Sequence, residues 1–246
     1  MRKYYFAALL ALAAQMAGAS QPSAAPPASV EIVAKRDAAW ASYRNAYKGA
    51  AKYAAYLRAM PLIQVHMQIV PRKAGVSLDG LRLQLTSETV TQDIALDAIG
   101  RATLPMNKQA FDEDAVLRLN RGPDNFRFTG RYSIRENDSG VYSAALLRTA
   151  CEQIISAQRE MGGRLRLLGK KCAGVRFIYR PDNLGAELKL RDAMGKPGVI
   201  AAADAAPFDG VPMGLYRVVT YRFDAWPAQG DVLSEQRPLF IGTVYE

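Results

Sequence analysis

Arg127, Arg131 and Arg135 recur at every fourth residue, with Thr129 and Ser133 between them. If Phe126–Arg135 is a strand, these five side chains share one face, because successive strand residues point to opposite sides of a sheet. Three guanidinium groups arrayed in this way can engage phosphates or carboxylates. They are the candidate ligand-binding residues of the chain. The competing reading is a solvated outer sheet face, or one covered by acidic residues of a helix.

The other reactive residue types are sparse. Cys151 and Cys172 are the only cysteines. In an oxidising compartment they have one possible pairing, and they lack the spacing of a redox motif. A structural disulfide is the expectation, closing a loop that contributes about 3 kcal/mol. His66 is the only histidine, so a multi-histidine metal site within the chain is excluded and any serine–histidine triad would have to use it. Its place between Gln64 and Gln68 fits the polar face of a sheet. No phosphate loop, nucleophile elbow or zinc-protease motif occurs, and no metal ligands or cofactor are expected. Paired carboxylates remain an enzymatic option, since glycoside hydrolysis needs only two. Asp112-Glu113-Asp114 is the densest acidic group, and Asp204 and Asp209 lie near aromatic, Gly and Pro residues. No pair among them can be assigned, so no catalytic residue is named.

These residues need a scaffold, and its first piece is an address. Arg2 and Lys3, the apolar run from Phe6 to Ala14 and the small residues Ala17-Gly18-Ala19 read as a signal peptide over 1–19. The expected location is the periplasm or outside the cell, with no transmembrane span in the mature chain. The net charge of +9, of which Arg2 and Lys3 supply two, favours an anionic partner or is ordinary solubility charge. Nucleic acid is not an expected partner, because export removes most such targets.

Residues 20–33 contain QPSAAPPAS and form a flexible leader. Over 34–60, Trp40, Tyr43, Tyr47, Ala50, Ala54 and Leu57 recur at helical spacing, and Pro61 ends the pattern. That stripe packs on the protein's own core or lies on an anionic membrane. From Leu62 the period becomes two. Ile63–Ile69, Leu81–Leu85 and Phe126–Arg135 alternate clearly, with shorter candidates at Val90–Leu96, Ala102–Leu104 and Val116–Leu119. A β-sandwich over 61–136 is predicted. The region 137–246 predicts a helix over Tyr142–Met161 and strands at Cys172–Tyr179, Ala186–Leu190, Leu215–Phe223 and Leu239–Tyr245. Gly195–Gly214 reads as loop, and no repeat recurs at a fixed period. The expected class is α+β, mainly β: an antiparallel β-sandwich preceded by one amphipathic helix, with a disulfide-stapled C-terminal part of helix plus strands.

The segment Val90–Pro105 (VTQDIALDAIGRATLP) resembles part of a carboxypeptidase-regulatory-like, transthyretin-type β-sandwich. Asp97 and Gly100 match its turn, and Leu104 and Pro105 match the end of its short strand. The resemblance implies a structural module and transfers no catalytic residue. The functional expectation is a non-catalytic binding or structural module of the cell envelope with a basic surface. Its partner would be an anionic envelope component or another envelope protein. A carboxylate-dependent hydrolase of envelope polysaccharide is the alternative.

Overall fold

A computed structural model describes residues 39–246. The expected signal peptide and leader, and the first residues of the helix expected from 34, lie outside the described residues.

The chain begins with β1 (Ala39–Ser42) and α1 (Tyr43–Leu57), followed by β2 (Ile63–Pro71), β3 (Leu83–Thr86) and β4 (Thr91–Ile94). Next come β5 (Arg101–Ala102), α2 (Lys108–Asp112), β6 (Val116–Leu119) and β7 (Phe126–Ile134). A second series opens with β8 (Val141–Ser143), α3 (Ala144–Gln158) and β9 (Cys172–Tyr179). It continues through β10 (Glu187–Asp192), β11 (Pro197–Ala201), β12 (Ala203–Ala205), β13 (Tyr216–Arg222), β14 (Gly230–Leu233) and β15 (Phe240–Tyr245). All ladders are antiparallel. The protein is α+β and mainly β, as its alternating sequence predicts.

The two series share one topology. In the first, one sheet has the order β1-β6-β3-β4 and another β5-β2-β7. In the second, the orders are β8-β14-β10-β11 and β13-β9-β15, with β12 added outside β13. In chain order, β1 to β7 therefore correspond one for one to β8, β9, β10, β11, β13, β14 and β15. α1 and α3 take the same place and are both 15 residues long. β7 and β15, equivalent edge strands, lie beside each other where the halves meet. This repeat is one of topology and does not show as a period in the sequence. No fixed period exists because connections differ, such as 58–62 after α1 against 159–171 after α3. Strand pairing constrains alternation, not residue identity.

Two further corrections concern local structure. The first helix starts at Tyr43, because Ala39–Ser42 pairs with Val116–Arg118 and Ser42 then caps the helix by accepting the Asn45 N–H at 3.4 Å. Trp40 fits the helical spacing but sits on a strand. Within the stretch read as loop, β11 pairs β10 as an edge strand with Pro197 at its start, a position that needs no ladder donor.

Side chains from both sheets of each half form that half's core. Met67, Ile69 and Phe126 meet Leu83, Leu85, Leu117 and Leu119 in the first. Val175, Phe177, Tyr179, Val219 and Tyr221 meet Tyr142, Leu188 and Val232 in the second, under α3. Ile63 and Ile134, at one end of β2 and β7, join this second core and tie the halves together. A smaller cluster on the opposite face combines Val70, Ile99, Ile178, Phe208, Val218 and Phe240. The Cys151–Cys172 disulfide is formed and pins α3 to the start of β9. Among the described residues, no helix is long and apolar enough to cross a membrane.

Candidate functional site

The equivalent helices bury their inner faces very differently. Counting from the serines at their N-caps, Ser42 and Ser143, Ala46 stands where α3 has Leu147, Ala50 where it has Cys151, and Ala54 where it has Ile155. Leu147, Cys151, Ile154 and Ile155 are all buried, whereas Tyr43 is the only buried residue of α1. The first turn of α1 packs into one core through Tyr43 and Tyr47, and its last turn reaches the other through Tyr56 and Leu57. Between these anchors the helix spans a cleft of about 1040 Å³.

Gly49, Ala50, Tyr53 and Ala54 roof this cleft, and Val65 and Met67 of β2 with Phe128 and Gly130 of β7 lie across from them. Gly49 and Gly130 face open space: a Cβ on either would meet nothing within 4 Å. One wall is a strand edge. β5 pairs with β2 only at Met67 and Gln68, so Ile63 to His66 have no strand partner on that side. Gln64, Val65 and His66 line the cleft in succession, which a strand permits only when its edge as well as one face is open. In the second half β13 closes the same edge completely, pairing with β9 from Gly174 to Tyr179.

Among the described residues no carboxylate lines the cleft. Its charged lining residues are Arg58 and Arg135. Arg135 donates to the carbonyls of Pro61 and Ile63, both at 3.1 Å, and Arg58 makes no ion pair among the described residues.

Of the predicted arginine row, Arg127 and Arg131 lie on one face of β7 and Arg135 directly follows its last residue, and the three make separate contacts. Arg131 is partly buried; its Nε donates to Gln68 Oε1 at 2.8 Å and its guanidinium stacks 4.0 Å from the Phe208 ring centre. Burial, with Arg127 nearby, lowers its pKa to about 10. Arg127 is exposed and reaches the Gly210 carbonyl at 3.5 Å. Arg135 alone borders the cleft. Phe208 and Gly210, from the connection after β12, thus occupy part of the face that the sequence left open.

The remaining chemical candidates have structural partners. Glu113 accepts from the hydroxyls of Ser87 and Thr89, both at 2.6 Å, which holds its carboxyl at about 2. Asp112 pairs with Lys108 and Asp114 with Arg44. Asp204 pairs with Arg217 and Asp209 with Arg176. Asp192 and Asp231 line a 220 Å³ hollow beside Trp226. There Asp192 holds the Met194 and Lys196 N–H groups of its own turn, and Asp231 pairs with Arg191. Burial, followed by Arg101, lowers the pKa of His66, whose Nε2 has no hydrogen-bond partner. Ser133, on the same sheet face, is fully buried and out of reach of a substrate. No cluster of metal-ligating residues occurs among the described residues.

Of the candidate ligand-binding residues only Arg135 lines the cleft, and the small residues of its roof carry no chemistry in their types. The available signal was the run of small residues Ala46, Gly49, Ala50 and Ala54 on the inner side of a helix that is otherwise rich in tyrosine. No protein-family model, no curated protein and no solved structure matches this chain.

Proposed function

We propose that this is an exported, non-catalytic binding protein that takes an extended segment of another envelope protein into the cleft beneath α1. The reading rests on one observation above the others. Where the second half places a full strand, β13, beside β9, the first half places the two-residue β5 beside β2. A free strand edge offers unpaired N–H and C=O groups, which an apolar chain alone would leave unsatisfied and a peptide backbone satisfies.

The neighbouring half provides the template for such a ligand. Inward-facing Val219 and Tyr221 of β13 fill the second core. A bound segment would add a strand to β2 and direct alternate apolar side chains toward Gly49, Ala50 and Gly130. At one end of the β2 edge the Ile63 N–H donates to the Met60 carbonyl at 3.3 Å and its carbonyl accepts from Arg135, which leaves Gln64 to His66 open, about 10 Å of strand. Arg58 and Arg135 favour an acidic group at that end of the ligand. The signal peptide and disulfide fit an oxidising extracytoplasmic compartment.

The test is selection of short random peptides against the exported protein and against an Ala50→Leu/Gly130→Val variant. Both substitutions favour the local structure while filling the cleft. The expected result is enrichment of alternating apolar sequences whose binding falls at least about tenfold in the filled variant. Failure to enrich any sequence, or equal binding to the filled variant, would overturn the reading.

A further inference from the structure

We infer that the turn between α3 and β9 inserts two leucines into an anionic phospholipid surface. This assignment is independent of the cleft.

Residues 159–171 (REMGGRLRLLGKK) carry five cations, Arg159, Arg164, Arg166, Lys170 and Lys171, against one acid, Glu160. All five cations are exposed. Among the described residues only Arg164 has a carboxylate partner within the segment, Glu160 at 3.5 Å. Between these charges stand Leu165, 90% exposed, and Leu168, 80% exposed. Single exposed leucines are common on soluble proteins. Two within four residues, ringed by net positive charge, are the pattern of an interfacial anchor.

The turn is built to hold this presentation. Leu167, between the exposed pair, is 2% exposed and anchors the base. The Arg159 guanidinium donates to the carbonyls of Leu167 at 3.3 Å and Lys170 at 2.8 Å, tying the second half of the turn to its start at the end of α3. Arg166 donates to Gln158 Oε1 at 3.1 Å. Gly163 passes so close to the Gln158 carbonyl that a Cβ would lie 2.6 Å from the oxygen, so only glycine permits the approach. The disulfide at Cys172 fixes the exit.

Geometry decides between partners. Leu168 borders a hollow of about 670 Å³ with Arg159, Glu160 and Arg164, whereas Leu165, nine-tenths exposed, stands outside it. A continuous apolar phase removes Leu165 from water without a pocket, and anionic headgroups match the surrounding cations. The partner is therefore a bilayer with a negative surface.

The experiment is co-sedimentation of the exported protein with vesicles of phosphatidylglycerol and phosphatidylcholine, and with phosphatidylcholine alone, at low and high salt. Two variants accompany it: Leu165→Asp/Leu168→Asp, and Arg164→Gln/Arg166→Gln/Lys170→Gln/Lys171→Gln. All of these side chains are exposed, and an unchanged melting curve checks the fold. The expected result is binding to the anionic vesicles that weakens with salt and falls at least about tenfold in each variant. Absence of binding to anionic vesicles at low salt overturns the assignment. Binding unchanged by the leucine substitutions overturns insertion. Either result leaves the peptide selection unaffected.

Discussion

Met67 and Gly130 face one another across the β2–β7 ladder, and a side chain on Gly130 would begin in empty space. On the roof, Gly49 sits inside a helix with nothing near its absent Cβ. Glycine in a helix interior gives up backbone freedom without packing in return. Gly49→Ala is therefore expected to stabilise the fold by about 0.5–1 kcal/mol. A urea titration checks this, and a lower midpoint would show that the backbone at Gly49 needs glycine after all.

Removing the disulfide should be far more damaging. The Cys151→Ala/Cys172→Ala double variant frees a helix from the strand on which it packs, and the expected loss is about 2–4 kcal/mol. Denaturation of the oxidised protein and of the variant gives the difference directly. Equal midpoints would mean that packing of Leu147 and Ile154 alone fixes α3.

Gln68 is fully buried and works in two directions. Its Nε2 donates to the Ile99 carbonyl at 2.8 Å while its Oε1 accepts from Arg131. Gln68→Leu strands both partners and should cost about 2–4 kcal/mol. In an Arg131→Met background the penalty should shrink, because the guanidinium no longer needs an acceptor. Independent, additive losses would show that the two side chains are not coupled.

Glu113 gives the protein an acid-sensitive contact. Its folded carboxyl titrates at about 2, below its ordinary value of 4.5, because Ser87, Thr89 and Gln109 hydrogen-bond the ionised form. With the folded value depressed, the contribution is present above pH 4.5 and is lost as the pH falls through about 2. Glu113→Gln should thus reduce the drop in stability between neutral pH and pH 2. Parallel pH–stability curves for the two proteins would refute this.

The long elements were legible in the sequence because their alternation is uninterrupted. Ile63–Pro71 starts where its alternating pattern does, and Phe126–Ile134 ends one residue short of the alternating run Phe126–Arg135. β8, β12 and β14 carry three or four residues each, too few to display a period. α2 was hidden for the same reason, and the Ser87 and Thr89 hydroxyls that occupy Glu113 come from the distant turn between β3 and β4. The disulfide followed from elimination, since two cysteines allow one bridge. The cleft could not be read in this way. Ala46 and Ala50 are ordinary helix formers, and they mark a gap only when Leu147 and Cys151 are set beside them. Strand β5 is likewise informative only against β13.

Every ladder of the β-sheets closes within its own half. The strand pairing of 39–134 thus requires no strand from the residues after it. What the later half contributes is apolar cover for Ile63 and Ile134, together with the strand that lies beside β7. A chain emerging N-terminus first can therefore complete one set of sheets before the other has formed, and dock the two afterwards without a shared ladder.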